Sequence, residues 1–588
     1  MIENIRNIIY FFDKSDRRSL IILFALFLFT GLIELVGIAS IVPFVGLISD
    51  PDYITNSKIF NSLLFLENYD SREITLISGI SIVFLFILSN SMNAYTLWRT
   101  INYTANQSHK ISNHVYTKYL NQPYGFFVNN NISTLSRNIL DISVSITESI
   151  FLPILQIISR IIVMILISIL LISINPIVFI FSLVILAILY FFIFNNIKKN
   201  LKLYGDKRLI SNDVRFKNIN DCMNSIKDIK FYNSEKYYKE SFSKAQKDFL
   251  DLTATSTLLT TLPRYLIEIF AFGGFFAVIL YIIYIDSSFK AHLPTIALFI
   301  LASYRILPSM QQIFAFTGSI KFNYPALKVI REIYRMSDAI DLKNNISNMN
   351  EEIKFSNVSF SYQDNKTVLK NISFEIKKNS VSAIIGTTGA GKTTLIDLLL
   401  GLYKPDKGEI FINSRNYDQY TDRLKMGYVP QHPAFTNNTI KENIAFGISN
   451  DKINVKKVSH VLNLVNMNSH INTLQKKYDT IIGDKGTKLS GGQLQRLAIG
   501  RALYFSPSIL ILDEATNALD NKTEEDLFTS LKNIEGITII LVTHRSSAIQ
   551  QCDHIFHLTS DCVEKIDKSS VKDLSKYLNK INDIGRKN

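Results

Sequence analysis

Cysteine is scarce in this 588-residue chain: Cys222, Cys552 and Cys562 are all it has. They show no paired metal-ligand spacing, and all three fall in segments expected to face the cytosol, where disulfides rarely persist. That argues against a disulfide-stapled scaffold or a thiolate metal module. Charge is also thin, at 19% of residues, and it is lopsided. There are 50 Asp and Glu against 63 Lys and Arg, a formal net charge of +13. Such an excess can signal nucleic-acid binding, but much of it lies in connections between apolar runs, where membrane topology accounts for it. Nucleic acid is therefore not an expected partner. The N-terminus lacks the short apolar core and small-residue cleavage site of a signal peptide. Met1 to Arg18 is polar and ends in Arg17-Arg18 before a long apolar segment, the pattern of an uncleaved signal anchor with its N-terminus inside.

What is abundant is apolar sequence, and it is unevenly placed. Residues 19 to about 316 carry repeated long apolar runs, whereas residues 350–588 mix charge and hydrophobe as a water-exposed domain does. This predicts an all-α six-helix transmembrane domain over 1–337, a polar linker over 338–352 and an α/β nucleotide-binding domain over 353–588. The spans are expected at about 19–48, 75–98, 150–174, 176–194, 258–285 and 293–316. Loop charge sets their orientation. The connection 195–257 holds thirteen Lys and Arg, whereas 49–74 has only Lys58 and Arg72 against five acidic residues. The first belongs inside and the second outside, which leaves both termini in the cytoplasm. The inside connections 99–149 and 195–257 are too long for turns and show helical spacing, so they are expected to extend the membrane helices. Segment 54–65 has the spacing of a short amphipathic helix on the outer surface, or equally of an ordinary packed loop.

Ionisable residues inside apolar spans are costly and should face the bundle interior. Glu34, Arg160, Arg264, Glu268 and Arg305 lie there, with Arg99 at the cytosolic end of the second span. Arg264 and Glu268 are four apart and can pair with each other. Alternatively Arg264 and Arg305, with Arg99 or Arg160, line a cavity and hold an anion in passage, a task suited to the planar guanidinium. Pro43, Pro153, Pro263 and Pro308 mark kinks.

The second half is organised around Gly386-Thr387-Thr388-Gly389-Ala390-Gly391-Lys392-Thr393-Thr394, between the apolar runs 381–385 and 395–400. That is a strand, a phosphate loop and a helix. Glycines let backbone N–H groups turn around a phosphate chain, Lys392 reaches the terminal phosphates and Thr393 offers its hydroxyl to Mg²⁺. Four apolar residues before Asp513 make a buried strand that delivers its carboxylate to the Mg²⁺ shell, and Glu514 beside it is placed to take a proton from an attacking water. Ser490-Gly491-Gly492 precedes a helix expected over 493–503 and presents a hydroxyl, N–H groups and a positive dipole end to a phosphate. One chain already has a phosphate loop. A second such element makes sense as the other half of a site shared across a homodimer.

With these residues in view, the chain resembles an ABC transporter half-unit of the exporter type. The resemblance implies ATP and Mg²⁺ as cofactors. It identifies Gly386 to Thr393 as Walker A, Gln431 as the Q-loop, and Leu489 through Gln493 as the signature. It further identifies Asp513 as Walker B, Glu514 as its base, residues 518–520 as the D-loop and His544 as the switch histidine. Tyr362 matches the aromatic that stacks on adenine. Thr388 stands where Ser is commoner, and Asn517 where the D-loop often has Ser. Within that family, residues 31–44, 121–124 and 263–268 resemble the PglK-like lipid-linked oligosaccharide flippases. This implies flipping of a polyprenyl-diphosphate glycan, used in glycosylation, from the inner to the outer leaflet of a bacterial inner membrane, with the arginines meeting the diphosphate. Export of another amphiphile, lipid or peptide fits the same fold, and an ATP-gated channel fits it less well.

Overall fold

The computed structural model describes residues 14–49, 71–174, 176–269, 289–337, 346–347, 352–362, 367–412, 415–417 and 423–567, with 272, 273 and 276. The chain divides into two compact units, residues 1–122 with 129–338, and residues 123–128 with 339–588. The short segment 123–128, expected within the first domain, thus groups with the second unit.

The first unit is helical: α1 (Lys14–Ala39), α2 (Ile41–Ser49), α3 (Ser71–Leu120), a nearly continuous run Ile132–Ile174 that ends in α6, α7 (Pro176–Asn224), α8 (Ile226–Phe231), α9 (Glu235–Thr261) and α10 (Phe289–Arg335). In chain order α4 (Tyr124–Asn129) belongs to the second unit up to Val128, and α5 (Ile132–Arg137) and α6 (Leu152–Ile174) bracket the run. Among the described residues, four stretches are long and apolar enough to cross a membrane: Asp16–Ile48, Arg72–Leu120, Ile132–Ile174 and Ile296–Arg335. They contain or overlap the spans expected at 19–48, 75–98, 150–174 and 293–316. The span expected at 176–194 lies on α7, some of whose side chains fall outside the description. The span at 258–285 runs past residue 269 into residues outside it, and segment 54–65 lies wholly outside the described residues. Ile80, Val83, Phe84 and Ile87 on α3 all point outward as exposed apolar side chains, the surface a helix presents to hydrocarbon.

Prolines leave local signatures. Pro153 has no N–H to offer the carbonyl of Ser149, and the turn before it, Thr147–Phe151, widens to a π-helix. The freed Ser149 carbonyl accepts the Ser319 hydroxyl at 3.1 Å, which ties this run to α10. The first span is broken at Ser40, three residues before Pro43. The Ser40 hydroxyl donates back to Gly37 at 2.8 Å.

The second unit carries two main sheets. β1 (Ile353–Ser361), β2 (Thr367–Ile376) and β4 (Lys407–Ile412) form an antiparallel sheet with Arg415–Asn416 at its edge. The larger sheet has six strands in the order β9-β8-β3-β7-β6-β5: Val563–Ile566, His554–Leu558, Val381–Ile385, Thr538–Val542, Ile509–Asp513 and Met426–Val429. All its pairs are parallel except β8 with β9. β3, β6 and β7 are buried along their whole length, as strands covered on both faces must be, hence their unbroken runs of apolar residues. The helices α11 (Lys392–Leu399) and α12 (Gly491–Tyr504) pack into the two cores on either side. The ends of β3 and β6, which flank β7, therefore deliver the phosphate loop and the Asp513–Glu514 pair to one edge of the sheet, where ligands of such sheets bind.

Candidate functional site

The loop after β3 is shaped by glycine at two points. Gly391 has φ +92°, and a Cβ there would come within 2.7 Å of the Leu369 side chain; at Gly386 it would come within 2.4 Å of the Leu558 carbonyl. We expect Gly391→Ala to cost ~1–3 kcal/mol through backbone strain and this clash. A fall in the thermal midpoint of the purified chain would show it. Lys392, the first residue of α11, curls over the loop and donates to the carbonyls of Gly386 and Thr387 at 2.8 and 2.9 Å. Burial lowers its ammonium pKa, opposed by the carboxylates of Glu514 and Asp513. Those contacts place its charge beside the acidic pair.

The acidic pair is held from several sides. Burial first, then Glu514, raises the Asp513 carboxyl above its usual range, while Lys392 and the Tyr428 hydroxyl pull it down. Asp397, one turn into α11, is pushed up to about 6 by burial and by Asp513. Glu514 sits in the left-handed region at φ +50°, a strained setting for a side chain with a Cβ. Its backbone N–H donates to Val542 at 2.9 Å, which ties the strained residue to β7. Its carboxylate accepts from Gln431 Nε2 at 2.7 Å and Asn517 Nδ2 at 3.0 Å, and His544 Nε2 stands 3.5 Å away. Burial and Lys392 lower the His544 pKa, against the pull of Glu514, so the imidazole is neutral at pH 7 and can donate through one nitrogen only.

The residues singled out in sequence are thus distributed as follows. Gln431, Glu514 and His544 form one cluster, and Lys392 and Asp513 lie within its electrostatic reach. Tyr362 bonds through its hydroxyl to Thr394 at 3.0 Å. Gly389, Ala390 and Thr393 continue the loop into α11. The signature helix starts at Gly491 rather than at Gln493. Ser490 is its N-cap in a reciprocal box, its hydroxyl accepting from the Gln493 N–H at 3.3 Å while Gln493 Oε1 accepts from the Ser490 N–H at 2.9 Å. That box aims the free N–H groups of Gly491 and Gly492 out of the helix end. Gln495 Oε1 accepts from the Ala518 N–H at 2.8 Å, which locks the signature helix to the residues after Glu514.

Two contributors were not foreseen. Asn517 was noted only as a departure from pattern, yet it is a direct partner of Glu514; its position three residues on was the available signal. Arg545 donates to the carbonyls of Thr516 and Leu519 at 2.9 and 3.0 Å and to Asn521 at 2.7 Å. It pins the 516–521 turn beside His544, and nothing local in the sequence announces that.

In the first unit the expected arginines divide. Arg264 pairs with Glu268 at 2.8 Å, and Gln311 donates to the same carboxylate at 3.0 Å. Glu34, buried, accepts from Asn93 at 2.5 Å and Arg305 at 3.4 Å on one oxygen, while its Oε2 has no hydrogen-bond partner among the described residues. Arg160 is in electrostatic reach of both Glu34 and Arg305. Arg99 is exposed on α3 and stands apart from these pairs.

The description "ABC transporter transmembrane region" matches residues 20–307, and "ABC transporter" matches residues 369–517. The chain belongs to the ABC transporter family. Its fold is similar to that of a bacterial Atm1-family ABC exporter solved with ATP bound, with a TM-score of 0.79 over 97% of this chain and 99% of that one, at 20% identity. Among curated relatives, the heterocyst differentiation ATP-binding protein HepA of Nostoc is 31% identical over 57% of this chain and 56% of its own length. The leukotoxin translocation ATP-binding protein of Mannheimia glucosida is 39% identical over 35% of this chain and 29% of its own length. ABC transporter B family member 22 of Arabidopsis thaliana is 41% identical over 35% of this chain and 17% of its own length. The chain therefore spans less than two thirds of these relatives. Membership gives this ABC transporter a helical membrane unit and a nucleotide-binding unit in one chain.

Proposed function

We propose that this chain is half of a homodimeric exporter that uses ATP to flip a polyprenyl-diphosphate-linked glycan from the inner to the outer leaflet of the bacterial inner membrane. The chain's two termini and its nucleotide-binding unit lie in the cytoplasm. ATP is held by residues 386–394 of one copy and by Ser490, Gly491, Gly492 and Gln493 of the other, so that nucleotide clamps two membrane halves together. Tyr362 stacks on the base. In hydrolysis a water attacks the terminal phosphorus as the bond to the β–γ bridging oxygen breaks and ADP leaves, and the water passes its proton to Glu514, which Gln431, Asn517 and His544 hold in place. Asp513, buried and with Glu514 raising the cost of its ionisation, suits a divalent cation. Mg²⁺ held by Asp513, Thr393 and Gln431 would supply charge neutralisation of the phosphates.

The observation that carries the cargo reading is the charge at membrane depth. Glu34, Arg160 and Arg305 form a cluster of two guanidinium groups and one carboxylate, which leaves one positive charge in excess among apolar spans. A surplus cation among apolar spans is costly unless an anion shares the site. A lipid-linked diphosphate supplies that anion, and its sugars cannot cross hydrocarbon unaided. Arg305 and Arg264 already have carboxylate partners, so Arg160 is the group with charge to give.

The test is reconstitution in vesicles with a fluorescent polyprenyl-diphosphate glycan. ATP-dependent leaflet transfer is expected, and Arg160→Ala should lower transfer about tenfold, the loss of a single charged hydrogen bond, and more than it lowers ATPase. Equal loss of both rates would make Arg160 structural, and no transfer by the unmutated protein would rule out this cargo.

A further inference from the structure

Tyr403 belongs to none of the motifs described above, yet three aromatic rings of the second unit converge on it. It meets Tyr362 edge-on, with centroids 5.6 Å apart and planes at 90°. Phe360 lies at 5.4 Å, and Tyr124 at the start of α4 lies edge-on at 5.9 Å and 78°. Phe360 in turn meets Tyr362 at 5.1 Å and 85°. Backbone approaches the same ring, because a Cβ on Gly125 would stand only 3.1 Å from a Tyr403 ring carbon.

The ring is not free to drift. The Gly401 N–H donates to Leu398 at 3.1 Å and the Leu402 N–H to Asp397 at 2.9 Å, with Gly401 at φ +71°. That turn closes the end of α11, the helix whose first turn is the phosphate loop. Tyr362 is anchored to the same helix by its hydroxyl bond to Thr394. Edge-to-face contacts are directional, so a Tyr362 ring that turns to face a stacked base presses on Tyr403, which itself packs against Tyr124 and Gly125.

We propose that Tyr403 is a positioning residue that couples stacking of a purine base on Tyr362 to the α4 segment at Tyr124 and Gly125, so that this segment registers the base as well as the triphosphate. The proposal rests on the reading of Tyr362 as the base-stacking residue. Phe360 packs against both rings of the pair. No hydroxyl is required of Tyr403, only its ring.

Hydrogen–deuterium exchange on the full-length protein in nanodiscs tests this, read on peptides covering 123–129. ATP should slow exchange there by about threefold or more, whereas inorganic tripolyphosphate, which has no base, should leave it unchanged. Tyr403→Ala and Tyr124→Ala should each abolish the ATP effect, the double variant should do no more than either alone, and Tyr403→Phe should retain it. ATP affinity of Tyr403→Ala, measured by calorimetry, should stay within about threefold of the unmutated protein, which separates lost coupling from lost binding. Absence of ATP protection in the unmutated protein, equal protection by tripolyphosphate, or full protection in Tyr403→Ala would overturn the proposal. Should Tyr403→Ala fail to fold, Tyr124→Ala carries the same decision. Tyr362→Ala with undiminished ATP affinity would instead refute the stacking reading itself.

Discussion

Glu514→Gln is expected to reduce steady-state ATPase by about 10²–10⁴-fold, the usual worth of a general base, while ATP still binds. The substitution is nearly isosteric. Its amide oxygen can still accept from Gln431 and Asn517, which now hold the Glu514 carboxylate at 2.7 and 3.0 Å, so the cluster should keep its geometry. What is lost is the lone charge able to take a proton. The strained φ of +50° is unaffected, and the unit should fold as before. With hydrolysis blocked, ATP should accumulate in a closed dimer that persists on size exclusion. ATPase at the unmutated level would remove Glu514 from the base role and turn attention to His544, the remaining titratable group in the cluster.

Glu34→Ala should be the most damaging single change in the membrane unit. Glu34 is 2% exposed and serves Asn93 and Arg305 together. Removing one partner of a buried pair leaves an uncompensated charge, at a cost of about 3–5 kcal/mol. Thermal unfolding of the detergent-solubilised protein should show a large loss. Adding Arg305→Met should recover most of it, because a pair replaced by apolar groups is close to neutral. A Glu34→Ala protein as stable as the original would mean that Arg305 finds another acceptor. A double variant no better than the single one would show that Arg305 is not the group left stranded.

The nucleotide site was legible in sequence because its parts are short and contiguous. Walker A, the signature and the Asp513–Glu514 pair each sit at the end of one strand or the start of one helix, and strand ends of a parallel sheet converge by construction. The Arg264–Glu268 pair was legible for the same reason, being local to one helix turn. The Glu34–Arg305 pair was not, since its partners are 271 residues apart and no spacing rule connects separate helices. Tyr403 is not legible in the sequence because an aromatic after a helix end has many possible neighbours, and only the folded unit brings Tyr124, Phe360 and Tyr362 around it. The widened turn before Pro153 lay between these cases. A kink was readable, but its compensation by Ser319 needed the neighbouring helix.

The α3 helix runs unbroken for 50 residues, about 75 Å at 1.5 Å per residue. Among its residues only Gly79 lacks a side chain, and proline is absent, so it bends as a stiff rod. Pivoted near one end, such a rod tilting by about 5° sweeps its far end through roughly 6–7 Å, more than one helical pitch. A small angular change at the end near Leu120 is thereby geared up into a displacement comparable with the width of a sugar ring.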